Sequence, residues 1–438
     1  MIPLLPPHLL FKAFAPGFAI TNGKEIPILF IENAPALHNI ARVKGIKNYM
    51  DGQHPVLSRK DFTFKNETFK TAKIILQSIK PIIDFHTSYI CGNPITISGD
   101  TGEVSAINAV YKKGAYNKLN YDIANNIYTY GNAYEYVYRD ESGTIRSKLI
   151  NVEDGYPIYN QYGEYVSFIE YWNDVVTNEE HSIVYTPSEV TEFNGNTPVA
   201  SYNNATGLPI HYTSGNIDRS GFFGIALTSD LIPIMNEIEA LLSKMTDSVN
   251  TLSLNPLGVS IGDRVDSSVD SDVTGAILNI ESGGDFKWAT ATLDNAAITT
   301  ILNNLFAQFY VIAQVPSILY GQSNVANVSE VSLELLFNGA DNLSKKTAFS
   351  MIEGFNKRSE YIGKLMGMNL SDLNYSFNYN RPTDNSRLVD DIKKQIEMGI
   401  MSKETGMRIS PYVVDVEEEK KMINKNAMEN GDSTSSNA

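Results

Sequence analysis

Two long apolar stripes with a small strand-rich insert between them constrain this chain more than any other feature. Leu231, Ile234, Ile238, Leu241, Met245, Val249 and Leu252 recur at steps of three and four, which is one face of a long helix. Asn255-Pro256 ends it. A second stripe, Ile298, Ile301, Leu305, Phe309 and Ile312, opens after Asp294, a residue suited to a helix cap or first turn, and ends at Pro316. A plain helical hairpin closes with a loop of roughly 2–8 residues. Here residues 256–291 intervene, with LGVSI, GAILNI and FKWAT reading as strands between turns rich in Asp, Ser and Gly. A third helix is expected from about Glu330 to Met366, with Leu333, Leu336, Ala340, Leu343, Thr347, Met351, Phe355 and Ile362 on one face. Gly339 and Gly354 lie inside it and suggest a bend.

The first half reads as α+β. A helical pattern runs from Phe69 to Tyr89, broken at Pro81. The turn CGNPITISGDTGE at 91–103 leads to a helix from Asn120 to Tyr130. AYEYVY (133–138) alternates as a strand, DESG (140–143) is a hairpin turn, and IRSKLI (145–150) is the return strand. Further strands continue as a meander to about residue 213, and SDLNYSFNYN (371–380) reads as one more. Two helices are expected around GIMSKETG (399–406), within 385–429, and the last residues, 431–438, read as a disordered tail.

Composition narrows the function. The chain has 438 residues, 42% of them hydrophobic, enough for one large core or two to three domains. Its formal charge of −15 argues against a sequence-reading DNA binder, which needs a basic footprint. It leaves room for a protein that DNA passes without being gripped. The single cysteine, Cys91, excludes an intrachain disulfide and a cysteine-rich zinc site. The six histidines show no HExxH pair, and no GxxxxGK[ST] loop is present, so neither a metal centre, a cofactor site nor an ATP-driven motor is expected. Asp100-Thr101-Gly102 has the tripeptide of aspartic proteases but no second copy, and reads as a turn. The apolar start lacks a basic region and is cut by Pro3, Pro6 and Pro7, so it does not read as a signal peptide. Residues 298–320 hold Asn303, Asn304, Gln308, Gln314 and Pro316 and read as too polar for a bilayer span.

The order of these parts resembles the portal proteins of long-tailed phages. The resemblance rests on four stretches: YMDGQHPVLSR with DFHTSYICGNPI (49–59 and 84–95), DIANNIYTYGNAYEYVYRDESGTIR (122–146), VPSILYGQSNVANVSEVSLELLFNGADNLSKK (315–346), and GIMSKETGMRISPYVVDVEEEKKMI (399–423). It implies a portal fold of class α+β. Its parts would be a β-rich wing (1–228), stem helices (229–252 and 293–316), a small β clip (253–292) and a tunnel loop (317–329). A bent helix and return to the wing (330–384) and a helical crown (385–430) complete it. Where the family often has a Ser-Gly pair before the bent helix, this chain has Val328-Ser329-Glu330.

The resemblance also implies a non-enzymatic ring of about twelve subunits, placed at a capsid vertex of the virion and assembled in the host cytoplasm. Its partners would be double-stranded DNA in transit, the packaging ATPase (large terminase), a head-tail adaptor, and the major capsid and scaffolding proteins, with no membrane. A ring-forming head-tail adaptor and a carboxylate-based hydrolase are the alternatives. Leu241, Met245, Ile301 and Leu305 would pack between subunits. Lys287 and Trp288 would serve docking at the clip, although a core tryptophan is an equal reading. From Asn295 to Ser329 there is no charged residue. Gln322, Ser323, Asn324 and Asn327 would then face DNA with weak neutral contacts that let a duplex slide. A helix packed on all sides, followed by a buried loop, is the other reading of the same run.

Overall fold

A computed structural model describes residues 35–64, 67–160, 162–195, 197–249, 257–261, 285–289, 295–316, 330–370, 372–381, 385–410, 412–413, 416 and 419–425. The expected strand GAILNI, Leu252, the loop 317–329 and the tail 431–438 lie outside these residues. The chain divides into two compact units, 1–379 and 380–438.

In the first unit, α1 (Pro35–Met50) and a short 3-10 turn (Pro55–Ser58) precede the hairpin of β1 (Phe62–Phe64) and β2 (Glu67–Phe69). Residues 70–77 then run without regular structure, and α2 spans Ile79–Cys91. The helical expectation for 69–89 is therefore corrected. Pro81 lies in the first turn of α2, where its missing N–H has no intrahelical partner to lose, so it starts the helix rather than breaking it. The expected turn at 91–103 contains β3 (Thr96–Ser98) and the start of α3 (Thr101–Gly114). Helix α4 follows at Tyr116–Tyr130.

Gly131 ends α4 with φ +82 and leads directly into β4 (Asn132–Arg139). A side chain there would also run into the backbone of Gly224, so the helix-to-strand corner needs glycine for two reasons. β4 pairs with β5 (Ile145–Ile150) through the expected Asp140–Gly143 turn. β6 (Gly155–Tyr159), β7 (Tyr165–Asn173), β8 (Glu180–Tyr185), β9 (Glu189–Asn194) and β10 (Thr197–Asn203) form a five-stranded antiparallel meander in chain order. β11 (Ile210–Thr213) returns to the other edge of β4, giving a three-stranded sheet β11-β4-β5.

The long helices are α5 (Leu227–Val249), α6 (Asn295–Ala313) and α7 (Glu330–Met366). Between α5 and α6, β12 (Leu257–Ile261) and β13 (Asp285–Ala289) pair antiparallel. β14 (Asn374–Ser376) pairs with β3. One hydrophobic core joins α2, α4, β4, β11 and α5 to the middle of α7, with Ile83, Ile123, Ile127, Val137, Leu231, Ile238, Met351 and Phe355 among its members. The second unit holds α8 (Asn385–Glu397), α9 (Lys403–Ile409) and a helical stretch at 419–425.

Candidate functional site

α7 is bolted to the sheet by buried charge. Arg358 replaces an apolar residue on its inner face, between Phe355 and Ile362, and has no exposed surface. Its guanidinium donates to both carboxylate oxygens of Glu135 on β4 at 2.8–3.0 Å, and Glu135 is equally buried. Tyr212 of β11 donates to the same carboxylate at 2.6 Å, and Arg358 also donates to Asn120 at 2.7 Å. Burial is the largest influence and works to lower the Arg358 pKa, but Glu135 together with Tyr212 and Tyr111 outweighs it and holds the cation well above its ordinary value. A buried pair of this kind does not by itself imply high stability, because desolvation opposes the attraction; breaking it is what costs. Gly354, one turn earlier, lies under the Tyr212 ring, which would collide with any side chain. α7 is helical without interruption from Glu330 to Met366. Gly354 is accordingly explained by this close packing.

α5 is held by a polar rail. Glu239, Ser243 and Asp247 stand four residues apart on one face of the helix. They accept the backbone N–H groups of Leu76 (2.7 Å), Ile74 (3.0 Å) and Ala72 (2.7 Å). Two extended residues advance about 6.6 Å and four helical residues about 6 Å. The two repeats therefore keep step while the segment runs antiparallel to the helix. Buried His54 donates to the other oxygen of Glu239 at 2.8 Å, and Arg59 joins Asp247 at 2.6 Å. The expected apolar stripe is thus divided. Leu231 and Ile238 enter the chain's own core, with Met235 beside them. Ile234, Leu241 and Met245 remain half-buried and Val249 is exposed.

α6 contrasts with both. Of residues 296–313 only Phe309 and Ala313 are buried. Ile301 is 50% exposed and Val311 64% exposed, while Leu305 is half-buried against the main core. The reading of α6 as packed on all sides within one chain does not hold. By length and composition the helix reaches what a membrane crossing requires, contrary to the expectation from its amides, because Ile, Leu, Phe and Val outweigh Asn303, Asn304 and Gln308.

Lys287 and Trp288 lie on β13, opposite Val259 and Gly258 of β12. Gln322, Ser323, Asn324 and Asn327 lie outside the described residues. Asp100 is the N-cap of α3, accepting the N–H of Gly102 at 2.8 Å, which is a more specific role than a turn. Among the described residues no cluster could hold a metal ion. Cys91 is buried and its thiol pKa is pushed up to about 12 by burial, which makes it unreactive. Sequence reasoning missed Arg358, Glu135, Glu239 and His54. Their signal was present: each is an ionisable residue in the inward register of an otherwise apolar helix, strand or turn.

A sequence model of the family described as phage portal protein, SPP1 Gp6-like, matches residues 33–432. Among solved structures, the neck of an empty gene transfer agent particle computed with C6 symmetry aligns with a TM-score of 0.50 at 10% identity, over 74% of this chain and 90% of that one. The neck of the native particle computed with C12 symmetry gives 0.46 at 10% identity, over 76% and 89%. No curated protein matches in sequence. The first of these likenesses shows a shared fold.

Proposed function

The chain belongs to the SPP1 Gp6-like phage portal proteins, whose copies form the ring-shaped channel at a capsid vertex of the virion, and from that membership we propose how this chain builds its ring and presents its channel. About twelve copies close the ring through heterologous contacts, each using two different faces. Residues 229–252 and 293–316 form the stem, and Leu241, Met245, Ile301 and Leu305 line the seam between neighbours. Residues 253–292 form the clip, where Lys287 and Trp288 meet the packaging ATPase and later the head-tail adaptor. Residues 1–228 form the wing, facing the major capsid and scaffolding proteins, and 385–430 the crown. The loop 317–329 faces the passing duplex. The chain is a conduit and carries out no chemistry of its own.

The observation that carries this reading is the bare, uncharged helix α6. An apolar helix that leaves Ile301 and Val311 in solvent gains by being covered, at roughly 25 cal/mol per Å². A neighbouring copy covers it without requiring Thr299, Thr300, Asn303, Asn304 and Gln308, all exposed, to enter hydrocarbon. The test is Ile301→Asp. Half in solvent already, the position tolerates a charge in the monomer but not in a closed seam. Light scattering after size exclusion should show monomers in place of rings, with the circular dichroism of the folded chain. Rings that survive this change would remove α6 from the seam.

A further inference from the structure

We infer that His86 and Tyr89, three residues apart on one face of α2, are positioning residues that tie both roots of segment 317–329 to the wing. The DNA-facing role of that segment rests on the function proposed above; the tie itself rests on geometry alone.

The first root is the end of α6. The last carbonyls of a helix lack intrahelical donors and need them from elsewhere. His86, fully buried, donates from Nε2 to the Ala313 carbonyl at 2.7 Å. Burial pulls the His86 pKa down to about 4, so the ring is neutral near pH 7. Because the carbonyl can only accept, Nε2 carries the proton. Gln314 follows in the left-handed conformation with φ +53, as residues just past a helix end commonly do, and Pro316 is buried. The helix therefore stops at a defined place and direction.

The second tie reaches the N-terminal third of α7, at Phe337 and Asp341, two to three turns past its first residue, Glu330. Tyr89 donates its hydroxyl to Asp341. Its ring stacks on Phe337 at 5.8 Å, on Phe85 at 5.7 Å and on Tyr379 at 5.7 Å. The two roots also touch each other: a Cβ on Gly339 would lie 3.5 Å from the Gln314 carbonyl oxygen. α2 is itself sealed in the wing core through Ile79, Ile82, Ile83 and Ile90. A shift of α2 therefore moves both roots together, and neither root can move alone without losing a buried hydrogen bond.

Hydrogen exchange on assembled full-length rings tests this. His86→Leu should speed exchange of amides 311–315 about tenfold, the effect expected of one lost buried hydrogen bond, while amides of α4 and β4 keep their wild-type rates. His86→Gln, which retains an N–H donor, should restore most of the protection. Tyr89→Phe, which keeps the stacked ring, should speed exchange at 337–341 and provides a second reading if His86→Leu does not assemble. Unchanged rates at both roots, or faster exchange spread evenly through the wing, would overturn the proposal. Packaging with the same rings separates the two ideas. Local loosening with reduced DNA packaging supports both; local loosening with normal packaging keeps the tie and removes the DNA-facing role of 317–329.

Discussion

Helices α5 and α6 both come from apolar stripes of similar length, yet the molecule treats them oppositely. α5 spends one face on its own chain through an acid–serine–acid rail that reads the backbone of residues 72–76. α6 carries no charge and leaves most of its surface outside the chain's own core. Polar side chains that satisfy buried amides are directional and fix a helix within its own subunit. Apolar surface is indifferent to its source, so it can be covered by another copy. One helix is fixed within its own chain, and the other leaves apolar surface that a second copy can cover.

The largest effect should come from the self-contained side. Arg358→Met removes the cation and leaves Glu135 buried without its counter-charge. A loss of about 3–5 kcal/mol is expected, read as a lower urea midpoint, and ring assembly should fail through misfolding. A loss under about 1 kcal/mol would mean that the pair does not anchor α7.

Glu239→Leu attacks the rail. It strips the partner from the Leu76 amide and from His54, at a cost of about 1–3 kcal/mol. Limited proteolysis should then cut first between residues 70 and 77. Cleavage elsewhere at wild-type rates would show that the segment is held by something other than α5.

Ile301→Asp should behave in the opposite way, changing monomer stability by about 0.5 kcal/mol or less while abolishing rings. The comparison fails if Ile301→Asp unfolds the chain or Glu239→Leu spares it.

Acid sharpens the contrast at the end of α6. The folded-state pKa of His86 is depressed from 6.5 to about 4. The unfolded chain therefore binds one more proton between those values, and this group contributes stability above pH 6.5 that is lost as pH falls toward 4. His86→Gln should flatten the stability–pH slope by one proton in that window. An unchanged slope would mean that His86 is protonated in the fold.

The smallest effect on stability, and the most specific on function, is expected of Asn324→Lys. Rings should form normally, while packaging slows and recovers partly at higher salt, because new lysines around the channel would pair with phosphates. Asn324→Ala should be silent. Normal packaging with Lys at both 324 and 327 would separate the loop from the DNA path.

Periodicity alone located much of the scaffold. The expected bounds of α7 and β5 match those observed, and α5, α6, β12 and β13 fall within a few residues of their expected limits. These elements are legible because a repeat of 3.6 or 2 in apolar residues is a local property. Residues 70–77 misled for the same reason: their apolar spacing suits a helix, but their amides are claimed by Glu239, Ser243 and Asp247, more than 160 residues away. The burial of the two stripes was legible only in part. Ile301 of the second stripe lies open, whereas Leu231 and Ile238 of the first face inward.

By itself, then, the sequence determined the long helices α5, α6 and α7, the β4–β5 hairpin, and that a long uncharged run separates α6 from α7. Each follows from neighbours a few positions apart. Only the tertiary structure decided which face of α5 belongs to its own chain, why Gly354 is glycine, and that Arg358, Glu135, His54 and His86 are buried connectors. A buried ionisable group is stable only when a distant partner meets it, and no local pattern specifies which partner that is.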